Sequence, residues 1–180
     1  MRRCRYRDLM ANILKSTSGS VLVEFALVFP ILLTMYLGSV TLSDAIACKR
    51  KVTIATRAVT DLTSRYSVIS SDEMTKILNA STQVLAPYNA SNAAIVITEV
   101  KVTDSTHARV IWSRARNGTP LTASSTITIP DGISPVNSYL LAGTIRYQYR
   151  PSVNFGFLNT ITFTETILIS PRLADQITLT

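Results

Sequence analysis

The chain is poor in the residues that most site chemistry needs. It has one histidine and two cysteines in 180 residues, whereas a structural zinc site takes four Cys or His ligands and a catalytic one about three protein ligands. Those metal sites are excluded, which leaves only an all-carboxylate oxygen site open. Charged residues are scarce too, at 16%. The net charge is +7, but a duplex binder gathers many Lys and Arg on one face to displace counterions, so nucleic acid is not an expected partner. No G-x-S-x-G elbow and no glycine-rich phosphate loop occurs. The lone His107 stands beside Asp104, Ser105 and Thr106, with nothing in sequence to complete a nucleophile, base and orienting group, and reads as a surface turn residue. No enzymatic activity, no cofactor, no metal and no small-molecule substrate is expected.

What the chain has in quantity is apolar side chains, 47% of the total, and one place where they run together. Residues 21–40 are almost wholly apolar, and Glu24 is the single charge between Lys15 and Asp44. A helix of roughly 20 apolar residues crosses a hydrocarbon core of about 30 Å, and no later stretch reaches that length, so a single-pass membrane helix is expected. Charge is uneven along the chain: Arg2, Arg3, Arg5, Arg7 and Lys15 face only Asp8 in the first 19 residues, a net of +4 out of +7. Five basic residues before the span against Lys49, Arg50, Lys51 and Arg57 after it place the N-terminus in the cytoplasm by a narrow margin. Pro30 removes one backbone donor and kinks the helix, a defect that membrane helices tolerate.

Glu24 is the residue that needs explaining, since a carboxylate at the centre of a spanning helix costs about 2.5 to 3.5 kcal/mol and less near an end. Gly19 follows a basic leader and directly precedes Ser20-Val21-Leu22-Val23-Glu24-Phe25. That arrangement resembles the class III signal of type IV pilins. More narrowly, Gly19-Ser20-Val21-Leu22-Val23-Glu24-Phe25-Ala26-Leu27-Val28-Phe29-Pro30 resembles the start of TadE-like proteins, the minor pilins or pseudopilins of Tad (Flp) pilus systems. The resemblance implies a prepilin peptidase cutting after Gly19, so that Ser20 becomes the N-terminus and Glu24 the fifth residue. It further implies that Glu24, followed by Phe25, pairs with the N-terminal amine of a neighbouring subunit; two buried charges bonded to each other escape most of the penalty that either suffers alone. The partners it implies are the inner membrane, a prepilin peptidase, other pilins or pseudopilins and the Tad assembly machinery. The C-terminal domain would then be periplasmic or extracellular.

Two rival processing schemes exist. Ala45-Ile46-Ala47 before Cys48 offers a small-x-small cleavage site, but a secretory signal has an apolar core of about 7 to 15 residues, shorter than this one and without a Glu. An uncleaved signal anchor is the larger rival, and would make the chain a single-pass envelope binding protein, an adhesin or sensor, with no filament role.

The expected organisation is a basic leader over 1–19, a membrane helix over 20–43, an amphipathic helical region over 44–90 and a β-rich domain over 91–180. Ile46, Ile54, Ala55, Ala58, Val59, Leu62, Tyr66 and Ile69 recur at helical steps and predict an inward face on a continuation of the membrane helix. Ser70-Ser71-Asp72-Glu73 has the form of a capping box, which predicts a second helix from about Asp72 to Ala86 with Met74, Ile77, Leu78 and Leu85 inward and Pro87 ending it. From Ala93 the period becomes two: Ile95 and Ile97, Val100 and Val102, Val110 and Trp112, Ile127 and Ile129, Ile145, Tyr147 and Tyr149, Ile161 and Phe163, Ile167 and Ile169. Asn117-Gly118 and Pro130-Asp131-Gly132 read as hairpin turns. The fold class is α+β: a long N-terminal helix whose amphipathic part packs on an antiparallel sheet of four or five strands, a plan that also resembles pilins. Cys4 would leave with the leader, so Cys48 would have no internal disulfide partner and reads as a membrane-proximal helix residue.

Overall fold

A computed structural model describes residues 17–151 and 159–180, with only the backbone at 17–20. Most of the expected leader, Cys4 included, lies outside the described residues. The chain divides into two compact units, Met1–Ser43 and Asp44–Thr180.

The first helix, α1, runs Thr17–Ser64 and carries Pro30 inside it. It is long and apolar enough to cross a membrane, by length and composition, and nothing in its most apolar window is buried. Its hydroxyls are self-satisfied: Thr34 donates to the Ile31 carbonyl, Ser39 to Tyr36, Thr41 to Leu37 and Ser43 to Ser39, all at 2.7–2.9 Å. Polar side chains bonded back to their own helix lose little when water is withdrawn.

The second unit is α+β. Strand β1 (Val68–Ile69) leads into helix α2 (Ser71–Val84). A short 3-10 turn (Ala90–Asn92) follows, then β2 (Ala93–Val102), β3 (His107–Arg116), β4 (Thr126–Thr128), β5 (Tyr139–Tyr149), β6 (Ile161–Ile169) and β7 (Thr178–Leu179). Five strands form one sheet in the order β4-β3-β2-β5-β6, and every neighbouring pair is antiparallel. β1 and β7 make a separate parallel pair. The capping box forms as its spacing requires: the Ser70 hydroxyl accepts from the Glu73 N–H and the Glu73 carboxylate accepts from the Ser70 N–H, both at 3.2 Å. Met74, Ile77, Leu78 and Leu85 are buried.

Residues 44–64 of α1 lie on the sheet with a face that the periodicity predicts only in part: Ala55 and Val59 are inward as expected, and so is Ile69 beyond the helix, but Ile46, Ile54, Ala58 and Leu62 are not. Cys48, Val52, Ala55, Thr56, Val59, Thr60, Thr63 and Ser64 are buried, whereas Ile46, Ile54 and Leu62 are 54%, 52% and 41% exposed. The reason is how closely helix and strand approach: a Cβ added at Gly143 of β5 would run into Thr60 Oγ1, with Thr60 Cβ at 3.0 Å and Cγ2 at 3.2 Å. Only small or slender side chains fit at that distance. The threonines enter without a polar penalty because Thr56, Thr60 and Thr63 donate to the carbonyls of Val52, Thr56 and Val59.

The alternation along β2 breaks between Ile97 and Val100, and the sheet shows why. Ala93, Ile95 and Ile97 join the core shared with α1 and α2, while Val100 and Val102 join a second cluster with Ala108, Val110, Ile129 and Leu140. The two faces are reconciled on β3 by a bulge: Glu99 pairs with Trp112 and Val100 with Val110, leaving Ile111 unpaired. Val110 and Trp112 therefore point to opposite faces although they are two residues apart.

Neither expected hairpin is a tight one. Asn117 does adopt a left-handed backbone, φ 51°, and Gly132 has φ 71°, so both places turn the chain. Each opens a longer loop instead. The tight hairpin joins β2 and β3 through residues 103–106, where Asp104 Oδ1 accepts from the Thr106 and His107 amides at 2.9 and 2.8 Å.

Candidate functional site

Within the first unit the expected assembly residues lie on α1. Ser20 falls in its opening turns and Glu24 follows four residues on, one turn later on the same face. Glu24 and Phe25 are exposed, as are the apolar side chains around them, Leu22 at 70% and Leu27 at 70%. A helix apolar on all sides needs an apolar medium or other helices around it. Phe25 and Phe29 stack at 5.5 Å between ring centroids, tilted by 34°, so Phe25 is part of a small aromatic ridge directly beside Glu24. Pro30 follows in the next position, within the helix. Gly19 is described by backbone alone and is helical.

The second unit opens with a polar cluster that the sequence did not reveal. Asp44 accepts from two phenols: Tyr88 donates to Oδ1 at 2.9 Å and Tyr149 to Oδ2 at 2.6 Å. Tyr88 lies beyond α2 and Tyr149 ends β5, so one carboxylate ties the start of this unit's helix to both. Both phenols titrate above their ordinary value, first because of burial and then because each donates to Asp44; for Tyr88 the result is about 12. Tyr147 meets Tyr88 edge-on at 6.4 Å and Tyr149 meets Phe163 at 5.8 Å, so the Tyr147/Tyr149 pair packs, as expected from its strand spacing. One turn after Asp44, Cys48 is 1% exposed. Burial, with the Asp44 charge adding to it, pushes its thiol up to about 11. It is held as an inert thiol.

A second hidden carboxylate is Glu99, fully buried in mid-β2. Its Oε1 accepts from the Ile177 N–H at 2.6 Å, and the cross-strand Trp112 donates its indole N–H to the Ile177 carbonyl at 2.8 Å. Together they clamp both backbone groups of one residue in the segment leading to β7. Oε2 has no hydrogen-bond partner among the described residues. Burial raises this carboxyl to about 7, against the opposing pull of the Ile177 N–H. The signal in the sequence is a Glu at the inward parity of Ala93, Ile95 and Ile97, which is visible once the register is known.

His107 is exposed as expected but is the first residue of β3, directly after the turn rather than in it. Its Nδ1 lies 2.9 Å from Asp104 Oδ1 and 3.0 Å from Thr106 Oγ1, and both side chains are about half exposed. Asp104 is held below its usual range, mainly by the Thr106 amide and then by His107. The group closes the β2–β3 hairpin. Among the described residues there is no cluster of three or more His, Cys, Asp or Glu that could hold a metal ion.

The comparisons with known proteins bear on the first helix. The family model described as TadE-like protein matches residues 19–61, a span that opens on Gly19 and takes in Ser20, Glu24, Phe25 and Pro30. The chain is thus similar to TadE-like proteins, a family of the Tad pilus system, over its N-terminal region, and that region holds the helix long and apolar enough to anchor it in a membrane. No curated protein and no solved structure matches the chain.

Proposed function

We propose that the chain is a minor pilin or pseudopilin needed to assemble a Tad-type pilus, cleaved by a prepilin peptidase between Gly19 and Ser20. The observation that carries this reading is the TadE-like match beginning at Gly19, with Glu24 at the fifth position of the segment that cleavage would release. The helix from Ser20 onward serves as a single-pass inner-membrane anchor before assembly, with the N-terminus cytoplasmic and residues 44–180 on the other side. Glu24 is the register residue, paired with the N-terminal amine of an adjacent subunit, and Phe25 packs beside that pair.

The first test is the intact mass of the protein isolated from a host with its own prepilin peptidase. The expected species begins at Ser20; a mass that retains the first 19 residues overturns the reading. The second test is Glu24→Ala, which should leave membrane insertion and cleavage intact while lowering pilus number or pilin co-purification at least tenfold. Normal piliation by that variant removes the assigned role of Glu24.

A further inference from the structure

The sheet has one long open edge. β6 (Ile161–Ile169) lies at the end of the strand order, and among the described residues no strand pairs with its outer side. The opposite edge, β4, is only three residues long. Natural edge strands are blunted by Lys, Pro, bulges or shortness. β6 has no Lys, Pro or bulge: its sequence is Ile-Thr-Phe-Thr-Glu-Thr-Ile-Leu-Ile, nine residues long, its register with β5 is unbroken, and its one charge is the half-buried Glu165. Every second residue of such an edge presents an unpaired N–H and C=O outward.

Alongside this edge runs a groove shared with α1. One part is a cavity of about 640 Å³ lined by Ile54, Arg57, Ala58 and Asp61 of α1 with Ile167, Ile169 and Arg172. A smaller part of about 190 Å³ lies between Lys49 and Val52 on one side and Thr162, Phe163, Thr164 and Glu165 on the other. Ile54 is one of the large side chains that the close packing at Gly143 leaves outside, and Ala58 is exposed beside it. The groove's charges are unequally committed. Asp61 is bridged to both Arg65 and Arg172 at 2.6 Å, whereas Arg57 has no ion-pair partner among the described residues.

We propose that this groove takes an extended segment of another polypeptide, which pairs with β6 as a sixth strand. A strand added there lies about 4.8 Å from β6, so its inward side chains fall over Ile54, Ala58, Ile167 and Ile169 and are apolar. A carboxylate on the same segment meets Arg57. Backbone pairing gives the affinity and the alternating side chains the choice of partner, as in other strand additions. The inference uses only the second unit and does not depend on cleavage at Gly19 or on Glu24.

The test places a photo-crosslinking benzoylphenylalanine at Ile54, and separately at Thr164, in the full chain in its own host, with Thr126 on the opposite edge as control. Adducts are mapped by tandem mass spectrometry. The expected result is that both groove positions mark the same segment of a different protein, with alternating apolar residues and an acidic one, and that Thr126 does not. Arg57→Glu should cut the adduct yield at least fivefold, and Arg57→Lys should restore most of it. The proposal is overturned by no adduct at either groove position, by equal yield at Thr126, or by adducts to lipid, to this chain itself or to a second copy. A partner segment that is helical overturns it as well.

Discussion

Removing the charge of Glu99 should abolish a pH dependence that the fold itself creates. The carboxyl moves from an ordinary 4.5 to about 7 because it is buried at 0% exposure with one oxygen unpartnered. A raised acid means that the folded state disfavours the ionised form. The associated stability is therefore complete below about pH 4.5, falls as pH climbs through 7, and levels off above. At 1.36 kcal/mol per unit, the change is about 3 kcal/mol, with a local slope approaching about 1.4 kcal/mol per pH unit. With a urea slope of about 2 kcal/mol per molar for a unit of this size, the midpoint drops by about 1.5 M between pH 4.5 and 8.

The assay is urea unfolding of the full chain in non-ionic detergent from pH 4.5 to 8.5, read by the fluorescence of Trp112. This is the chain's single tryptophan and bonds to the same Ile177 as Glu99 does, so the probe sits in the clamp. Glu99→Gln keeps an acceptor for the Ile177 N–H but places an amide in the unpartnered position, at a cost of about 1 kcal/mol that does not vary with pH. The variant should be weaker than the parent at pH 4.5, stronger at pH 8, and nearly flat between. Asp104 does not confuse the result, because a lowered acid loses its stabilising effect only as pH falls. Parallel profiles for parent and variant, or a parent that gains stability from pH 5 to 8, would refute the reasoning.

The close approach of α1 to β5 predicts that Gly143→Ala destabilises the second unit by about 2 to 3 kcal/mol through overpacking against Thr60. Adding Thr60→Ala should recover part of that loss in chemical denaturation, and additive effects would argue against the contact. Cys48, in a Cys4→Ser background, should resist iodoacetamide at pH 8 because it is buried and, with a pKa of about 11, only about a thousandth is thiolate. It should label fully in urea, and rapid labelling of the folded chain would contradict its placement.

How much was legible in the sequence differs by element, for physical reasons. The capping box, α2 and its inward residues follow from local spacing alone, since a helix start is decided within four residues. The strands follow from alternation, but not which face each one shows. The step from Ile97 to Val100 reports a change of parity, yet only the pairing with β3 locates the bulge at Ile111. The inward face of α1 was legible at Ala55 and Val59 but not at Ile46, Ile54 and Leu62, because the periodicity of large side chains is normally a guide to burial. Here the helix lies too close to Gly143 for Ile54 or Leu62 to turn inward, and self-bonded threonines fill the place of apolar residues. Asp44 and Glu99 were invisible for a related reason: a carboxylate looks solvent-facing until its partners, Tyr88, Tyr149 and Ile177, arrive from 44 to 105 residues away.

Asp44, Glu99 and Glu24 differ in who satisfies them. Asp44 receives two phenolic donors from its own unit, and Glu99 receives one backbone amide and titrates near neutrality in compensation. Glu24 differs from both. Between Lys15 and Lys49 the sequence holds no basic side chain, so a charged Glu24 in an apolar medium must find its cation elsewhere. Cleavage after Gly19 would remove Lys15 with the leader and leave the new α-amine of Ser20 as the nearest positive charge. In one helix that amine stands about 6 Å along the axis from Glu24, beyond direct contact distance for most rotamers. A neighbouring helix shifted by about one turn brings an identical amine level with the carboxylate, and burying both together avoids the penalty of an isolated charge. Under the proposed cleavage, the helix that would hold Glu24 only at a cost on its own would gain from being placed beside another at one particular offset, which is what the proposed assembly in register requires.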